Sequence, residues 1–272
     1  MNTVVLITGA SSGIGKACAG YLAAKGFTVY GTSRKESAGD KGQTANIRML
    51  KMDVTDAASV KKAIDLLIAE QGRLDVVINN AGMGIGGALE LAAPEEIRLQ
   101  MDTNFMGMVN VCSAALPYLR QAGGGKIINL SSLCGVMGIP FQGFYSASKF
   151  AIEGYSETLS LEVHPFRTKV ILVEPGDFNT GFTSNRVISE KTKDSEIYGA
   201  QFSKTMAVIE KEETDGGNPL KIAKLMHRII RSKHPKFRYK TGNFIQTNFA
   251  RAKKFIPART YQFLLRFFYN IK

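Results

Sequence analysis

The chain predicts an α/β fold: a doubly wound parallel sheet of about seven strands, helices on both faces, and a helical C-terminal extension. Three observations carry this expectation. Near-continuous apolar, β-branched runs alternate with segments of helical period, as in parallel strands covered on both faces. The first run passes directly into a glycine-rich turn and then a helix. No Pro/Gly/Ser-rich linker divides the 272 residues, which therefore read as one domain, 1–272, with a substantial core.

Strand-like runs occupy 3–9 (TVVLITG), 28–34 (TVYGTSR), 47–54 (IRMLKMDV), 74–82 (LDVVINNAG), 126–132 (KIINLSS) and 169–176 (KVILVEPG). Helices are expected between them, at about 13–25, 57–70, 95–120 and 144–163. Right-handed crossovers through such helices give a sheet wound in both directions. A further helix begins near Asn218-Pro219, where Asn can cap and Pro suits the first helical position. A last strand follows at 236–242 (KFRYKTG). In the final stretch, 260–272 (TYQFLLRFFYNIK), Tyr261, Leu264, Leu265 and Phe268 follow helical spacing. Phe263 and Phe267 widen that apolar face, and Gln262, Arg266 and Asn270 form a polar stripe.

The composition, 44% hydrophobic and 21% charged, is that of a soluble protein. There is no run of about 18 apolar residues and hence no expected membrane span. The N-terminus reads as a strand, not a signal peptide, so a cytoplasmic location is expected. Cys18, Cys112 and Cys134 fit no metal or redox spacing and are expected to be reduced thiols, with no metal site. The net charge of +12 is unevenly placed: from Gly216 to Lys272 there are fourteen Lys/Arg and no Asp or Glu. The first 215 residues carry 21 basic and 23 acidic groups, so the charge is no nucleic-acid signature for the whole chain.

TGASSGIG (8–15) follows the first strand and supplies Gly9, Gly13 and Gly15. Glycines there allow a tight turn and close backbone approach to a pyrophosphate, and the next helix offers free N–H groups and its positive dipole end. Ser11, Ser12 and Ile14 complete the loop. No Gly-Lys-Ser/Thr follows, so this is not a P-loop. An acidic residue ending the second strand would accept the adenosine ribose hydroxyls. Ser33 and Arg34 stand there instead and suit a 2′-phosphate, favouring NADP(H) over NAD(H).

TGASSGIG, Asp53-Val54, NNAG (79–82), Asn104, Ser132 in NLSS, YSASK (145–149) and PGDFNT (175–180) occur in this order over about residues 3–182. In this the chain resembles the short-chain dehydrogenase/reductase family, whose fold is the Rossmann-type sheet expected above. Residues 135–166 are similar to the 17β-hydroxysteroid and retinol dehydrogenase branch.

The resemblance implies that Tyr145 is the acid/base that protonates a ketone oxygen. A free phenol, with a pKa of about 10, is a poor proton carrier at neutral pH. Lys149 lies four residues on, on the same helix face, where an ammonium lowers that pKa. The family's lysine also holds the nicotinamide ribose. By the same resemblance Ser132, which spacing favours over the adjacent alternative Ser131, hydrogen-bonds the substrate oxygen, and Asn104 anchors a water leading from Lys149 to solvent. Ile14, Asp53, Val54, Asn80, Ala81, Gly82, Pro175, Gly176 and Thr180 are the implied remaining cofactor contacts, whereas Asn79 is expected to stabilise the sheet.

After Thr180 the family pattern fades; residues 181–217 stand where the family has a mobile lid over the substrate. Phe182, Ile188, Ile197, Tyr198, Phe202 and Met206, with Met137, Ile139, Pro140 and Phe141, suit either a bulky hydrophobic substrate or packing of the lid on the body. The basic 243–272 extension suits docking on the body, on a second subunit of a homodimer or homotetramer, or on an anionic membrane; nucleic acid is not an expected partner. The expected reaction is interconversion of a ketone and a secondary alcohol on a steroid, retinoid or long-chain keto-lipid such as a 3-keto sphingoid base. A small-carbonyl reductase and a non-catalytic NADP-sensing protein are the alternatives.

Overall fold

The computed structural model describes residues 2–35 and 47–271. In chain order these form β1 (Val4–Ile7), α1 (Gly13–Ala24), β2 (Thr28–Ser33), β3 (Ile47–Lys51), α2 (Ala57–Gln71), β4 (Val76–Asn79) and β5 (Ile85–Gly86). Next come α3 (Pro94–Met101), α4 (Gly107–Gln121), β6 (Gly125–Leu130), α5 (Gly143–Glu162), β7 (Thr168–Pro175) and β8 (Val187–Ile188). The chain continues through α6 (Glu190–Lys193), α7 (Gly199–Thr214), α8 (Leu220–Arg231), β9 (Arg238–Thr241), α9 (Phe244–Ala252) and α10 (Ala258–Phe268). Among the described residues the central sheet has seven strands, ordered β3-β2-β1-β4-β6-β7-β9, every neighbouring pair parallel.

Both faces of the sheet are covered, which explains the unbroken apolar runs. Successive strand residues point to opposite sides. Leu6 and Ile127 pack with Ile64, Leu67 and Leu119 against α2, α4 and α5. Their neighbours Ile7 and Ile128 pack with Leu22 and Ile229 against α1 and α8. The strand order reverses between β1 and β4, where the C-terminal ends of strands leave a crevice. Local signals set the helix ends: Asp56 caps α2 by accepting from the Ala58 N–H at 2.9 Å, and Gly72, at φ +68, closes it. Asn218 accepts from the Leu220 N–H at 2.8 Å as α8 begins.

The helix expected at 95–120 is interrupted. Asp102–Met106 form a π-helical turn between α3 and α4. Such turns carry no distinct composition, so helical periodicity alone does not reveal them.

Edge strand β9 is held by charge as well as by its ladder. Glu174 of β7, fully buried, pairs with Arg238 (2.5 Å) and with Lys240, and Arg238 also reaches Glu153 (2.6 Å) and Glu157 (2.9 Å) of α5. Two of the fourteen cations in the basic C-terminal region are therefore internal partners, not a solvated charge run. Removing one partner of such a buried pair costs about 3–5 kcal/mol.

A third apolar cluster joins Leu133, Met137 and Ile139 to Phe202, Met206 and Ile209 of α7, Ala250 of α9, and Tyr261 and Tyr269. The C-terminal extension thus docks on the body. Phe249 stacks on Tyr261 (4.7 Å), Tyr261 Oη donates to Met137 Sδ (3.2 Å), and Thr205 Oγ1 donates to the Tyr269 carbonyl (3.1 Å). The docked face of α10 is Tyr261, Leu265 and Tyr269; Leu264 and Phe268, expected on it, are 37% and 46% exposed, while Phe263 and Phe267 point to solvent. Apolar residues surround most of this helix, so spacing alone does not say which side meets the body.

Candidate active site

The loop after β1 has the shape of a cradle. Gly9 and Gly13 have φ of +65 and +52, in the left-handed region that favours glycine. A Cβ on Gly15 would lie 2.3 Å from the Gly9 carbonyl oxygen. Asn80 locks the loop: its Nδ2 donates to the carbonyls of Thr8 (2.9 Å) and Gly9 (3.0 Å). Thr8 Oγ1 accepts from the N–H groups of Asn80 and Ala81, both at 2.9 Å. The Asn80 side chain therefore positions the loop instead of projecting from it. At the start of α1, Ser12 makes no side-chain cap and the first turn has no carboxylate, leaving an uncompensated positive end that suits a phosphate. Ser11 and Ser12 are exposed there and Ile14 is partly buried against the core.

At the end of β2, Arg34 is exposed and Ser33 Oγ donates to the Lys35 carbonyl at 2.7 Å. Among the described residues no acidic residue stands at this strand end. Asp53 uses Oδ1 to accept from Thr55 N–H (2.9 Å) and Oγ1 (2.7 Å), and Val54 is buried against Gly107. These contacts show a local turn and a core position at the residues expected to flank adenine. Asn79 donates to Asn129 Oδ1 at 2.9 Å, bracing β4 against β6 as expected.

Across the crevice, α5 carries Tyr145 and Lys149 one turn apart. Lys149 Nζ lies 5.7 Å from the Tyr145 ring centre and donates to the Leu130 carbonyl at 2.9 Å. Ser132, two residues past the end of β6, accepts from the Cys134 N–H at 3.1 Å and donates to the Pro175 carbonyl at 3.4 Å. Asn104 is buried on the π-helical turn. Its Oδ1 accepts from Met83 N–H (2.8 Å), and its Nδ2 donates to the Met83 carbonyl and to Ser148 Oγ (both 3.0 Å). It thereby ties the β4 loop to α5 one residue before Lys149. Pro175 and Gly176 end β7, and the Cβ that Gly13 lacks would sit 3.4 Å from Thr180, so Thr180 closes over the cradle.

The electrostatics differ from the simple expectation for Tyr145. Burial drives its hydroxyl well above the usual phenol range; the nearby Ser132 hydroxyl pulls it back only in part. Burial pushes Lys149 down to about 8, opposed by Glu153. The phenol is thus held protonated beside a lysine whose proton is readily exchanged. Cys134, close by, is pushed up to about 12 by burial and is no nucleophile.

Sequence reasoning did not anticipate how 181–217 attaches. Short strands β5 and β8 pair in parallel, Ile85 with Val187 and Gly86 with Ile188. The glycine-rich run at 82–87 is the only local signal. A Cβ on Gly84 would meet Phe182 at 2.8 Å, and one on Gly87 would meet Ser189 at 2.8 Å. Phe182 is brought to 5.5 Å from Tyr145, ring centre to ring centre. Phe202, Met206, Met137 and Ile139 pack into the third cluster, while Ile197 is 83% exposed.

A parallel sheet, a glycine cradle at its switch point and Tyr145, Lys149 and Ser132 gathered across the crevice accompany a family match: a family model described as short chain dehydrogenase matches residues 3–191. The chain belongs to that family and is an oxidoreductase acting on CH–OH and C=O groups. It is 56% identical over 269 residues to a 3-ketodihydrosphingosine reductase of Bacteroides thetaiotaomicron, covering 99% of this chain and 98% of that one. The crystal structure of a short-chain dehydrogenase from Streptomyces avermitilis superimposes with a TM-score of 0.83 at 32% identity, over 93% of this chain and 92% of that one. ElxO, in a structure with NADP bound, does so at 0.73 and 26%, over 88% of this chain and 97% of that one.

Proposed function

We propose that the protein is an NADPH-dependent reductase of a long-chain keto-lipid, with a 3-keto sphingoid base as leading substrate. The observation that supports this reading is the end-to-end match to the 3-ketodihydrosphingosine reductase, which extends past residue 191, where the family model stops, through the segment 181–217 and the C-terminal extension. When bound, the nicotinamide cofactor supplies the hydride. Gly9, Gly13, Gly15 and the start of α1 would hold its phosphates, Thr180 its nicotinamide end, and Ser33 with Arg34 its 2′-phosphate. Ser132 hydrogen-bonds the ketone oxygen. Tyr145, kept protonated by burial, donates its phenolic proton to that oxygen as negative charge develops there. Lys149 returns a proton to the phenolate, and Asn104 fixes the α5 turn on which this happens. A phenol held in its protonated form suits reduction more than oxidation. The test is NADPH oxidation across 3-keto sphingoid bases, steroid and retinoid ketones and small ketones. Preference for a small ketone would overturn the lipid reading in favour of a general carbonyl reductase.

A lipid substrate fits the outer side of the C-terminal extension. Phe244, Ile245, Phe255, Phe263 and Phe267 are 59–85% exposed, beside Lys254, Arg259 and Arg266. Aromatics interleaved with cations and no carboxylate suit the surface of an anionic bilayer. The extension also packs on α7, placing that surface beside 181–217. Flotation with anionic but not neutral vesicles, lost in a Phe263→Ser/Phe267→Ser variant, is the expected result; equal recovery with both vesicle types counts against it. The exposed Met106, Phe150 and Leu161 on and before α4 and α5 suit coverage by a second copy, which light scattering of the purified chain would reveal.

A further inference from the structure

The 181–217 segment holds an ion pair for which neither the sheet nor the cofactor cradle has a use. Arg186 immediately precedes β8, its side chain 1% exposed, and its Nη2 pairs with Glu213 at the end of α7. The second Glu213 oxygen accepts from Thr183 Oγ1 at 2.7 Å. The other donors of Arg186, Nε and Nη1, are buried and make no hydrogen bond among the described residues. An ion pair serving only to fasten this segment would not leave two donors of a buried guanidinium unsatisfied, because such donors are costly.

The position of the pair suggests what those donors meet. Arg186 Cζ lies 5.6 Å from the Phe182 ring centre, and Phe182 is the residue packed against Tyr145. The Arg186 stem passes over Gly86, where a Cβ would stand 3.4 Å from Cδ. The guanidinium is therefore one aromatic ring away from the proton donor. Two more carboxylates complete the surroundings: Gln246 Nε2 donates to Asp177 at 2.6 Å and to Glu212 at 3.2 Å. Glu213 thus pairs with the guanidinium, while Asp177 and Glu212 share the Gln246 amide beside it. Burial and Glu213 push Asp177 up to about 6, the mark of negative charge held without enough positive partners. A ligand suited to this place carries a cation for the carboxylates and an acceptor oxygen for Arg186.

We propose that Arg186 and Glu213, backed by Asp177, read the polar head of the substrate: the carboxylates take an ammonium on the carbon beside the ketone, and Arg186 donates to a neighbouring hydroxyl. The site then selects long-chain amino-ketones bearing a hydroxyl over ketones of equal length without the amine. This rests on the lipid-reductase reading above and adds to it the chemistry by which one lipid ketone is chosen over another. It also accounts for the buried pair lying on 181–217, since a substrate bridging Arg186 and Tyr145 joins that segment to α5.

The test compares NADPH-dependent kcat/KM for a long-chain 1-hydroxy-2-amino-3-ketone and its N-acetyl derivative, which is neutral but keeps chain and hydroxyl. Wild type is expected to favour the free amine at least about tenfold. Glu213→Gln should cut that ratio about tenfold, chiefly through KM for the amine. Should Glu213→Gln fail to fold, Asp177→Asn takes its place, and inhibition of wild type by a long-chain amino-alcohol against its N-acetyl form gives the same comparison without a variant. An undiminished ratio in a folded variant, or equal inhibition by both amino-alcohol forms, overturns the proposal alone. Absence of turnover on both ketones, with small ketones reduced, overturns the lipid reading and the proposal together.

Discussion

Replacing Gly15 by Ala tests the cradle most directly, because the structure sets the size of the insult. The new methyl group would lie 2.3 Å from the Gly9 carbonyl oxygen and 2.6 Å from Asn80 Nδ2. Reaching even 3.0 Å requires a 0.7 Å shift, and little in the loop is free to give it. The Gly9 carbonyl is held by Asn80, Thr8 N–H is bonded to the Ile78 carbonyl at 3.0 Å, and Ala10 N–H to the Thr32 carbonyl at 2.9 Å. Overpacking of this kind costs roughly 1–3 kcal/mol. Borne by the cofactor-bound conformation, that corresponds to NADPH binding weaker by about 5- to 150-fold, at 1.4 kcal/mol per tenfold. NADPH fluorescence titration gives the affinity, and a thermal melt shows how much of the cost falls on folding. Gly20→Ala is the control. It lies on the same helix with no atom within 4 Å of its would-be Cβ, so it should leave binding unchanged and stabilise by about 0.5–1 kcal/mol. A Gly15→Ala protein that binds NADPH and melts like wild type would refute the cradle.

Tyr145→Phe should lower kcat by about 10²–10⁴ while NADPH binding stays within a few-fold; turnover near wild type would remove Tyr145 as the acid. Arg34→Asp should lose a charge-assisted hydrogen bond of about 1.5–3 kcal/mol and cut the NADPH/NADH preference roughly 10- to 100-fold, read from paired kcat/KM values. Because Lys149 is pushed down to about 8, it is charged below that pH and neutral above it. Reduction of a neutral ketone should therefore hold level on the acid side of 8 and fall as pH rises past it; a profile still rising through 8 contradicts a role for the ammonium.

The central sheet was legible because each strand is a local apolar run and each crossover a local helical period. The glycine loop and the Tyr145–Lys149 pair were legible for the same reason, being contiguous or one turn apart. Pairing of β5 with β8 was not, since it joins two-residue strands about 100 residues apart whose only trace is the glycine-rich 82–87. Nor was the Arg186–Glu213 pair, which in sequence is one charge among many in a charged region. Helical spacing located α10 but misjudged its docked side, because it cannot rank Phe263 and Phe267 against Tyr261 and Tyr269. The effect of burial on Tyr145 is also a three-dimensional quantity: spacing brings the ammonium near, while desolvation decides the direction of the shift.

The charged clasp on β9 has a consequence for how the molecule is made. Until the last strand is synthesised, β7 presents Val170–Val173 as an open, apolar parallel edge, the kind of surface on which nascent chains pair wrongly. Arg238 and Lys240 arrive late and close that edge on a carboxylate already waiting inside it. Arg238 at the same moment clasps Glu153, one turn beyond Lys149. Completion of the sheet and the ionic anchoring of the helix that carries Tyr145 thus depend on the same late residue, Arg238.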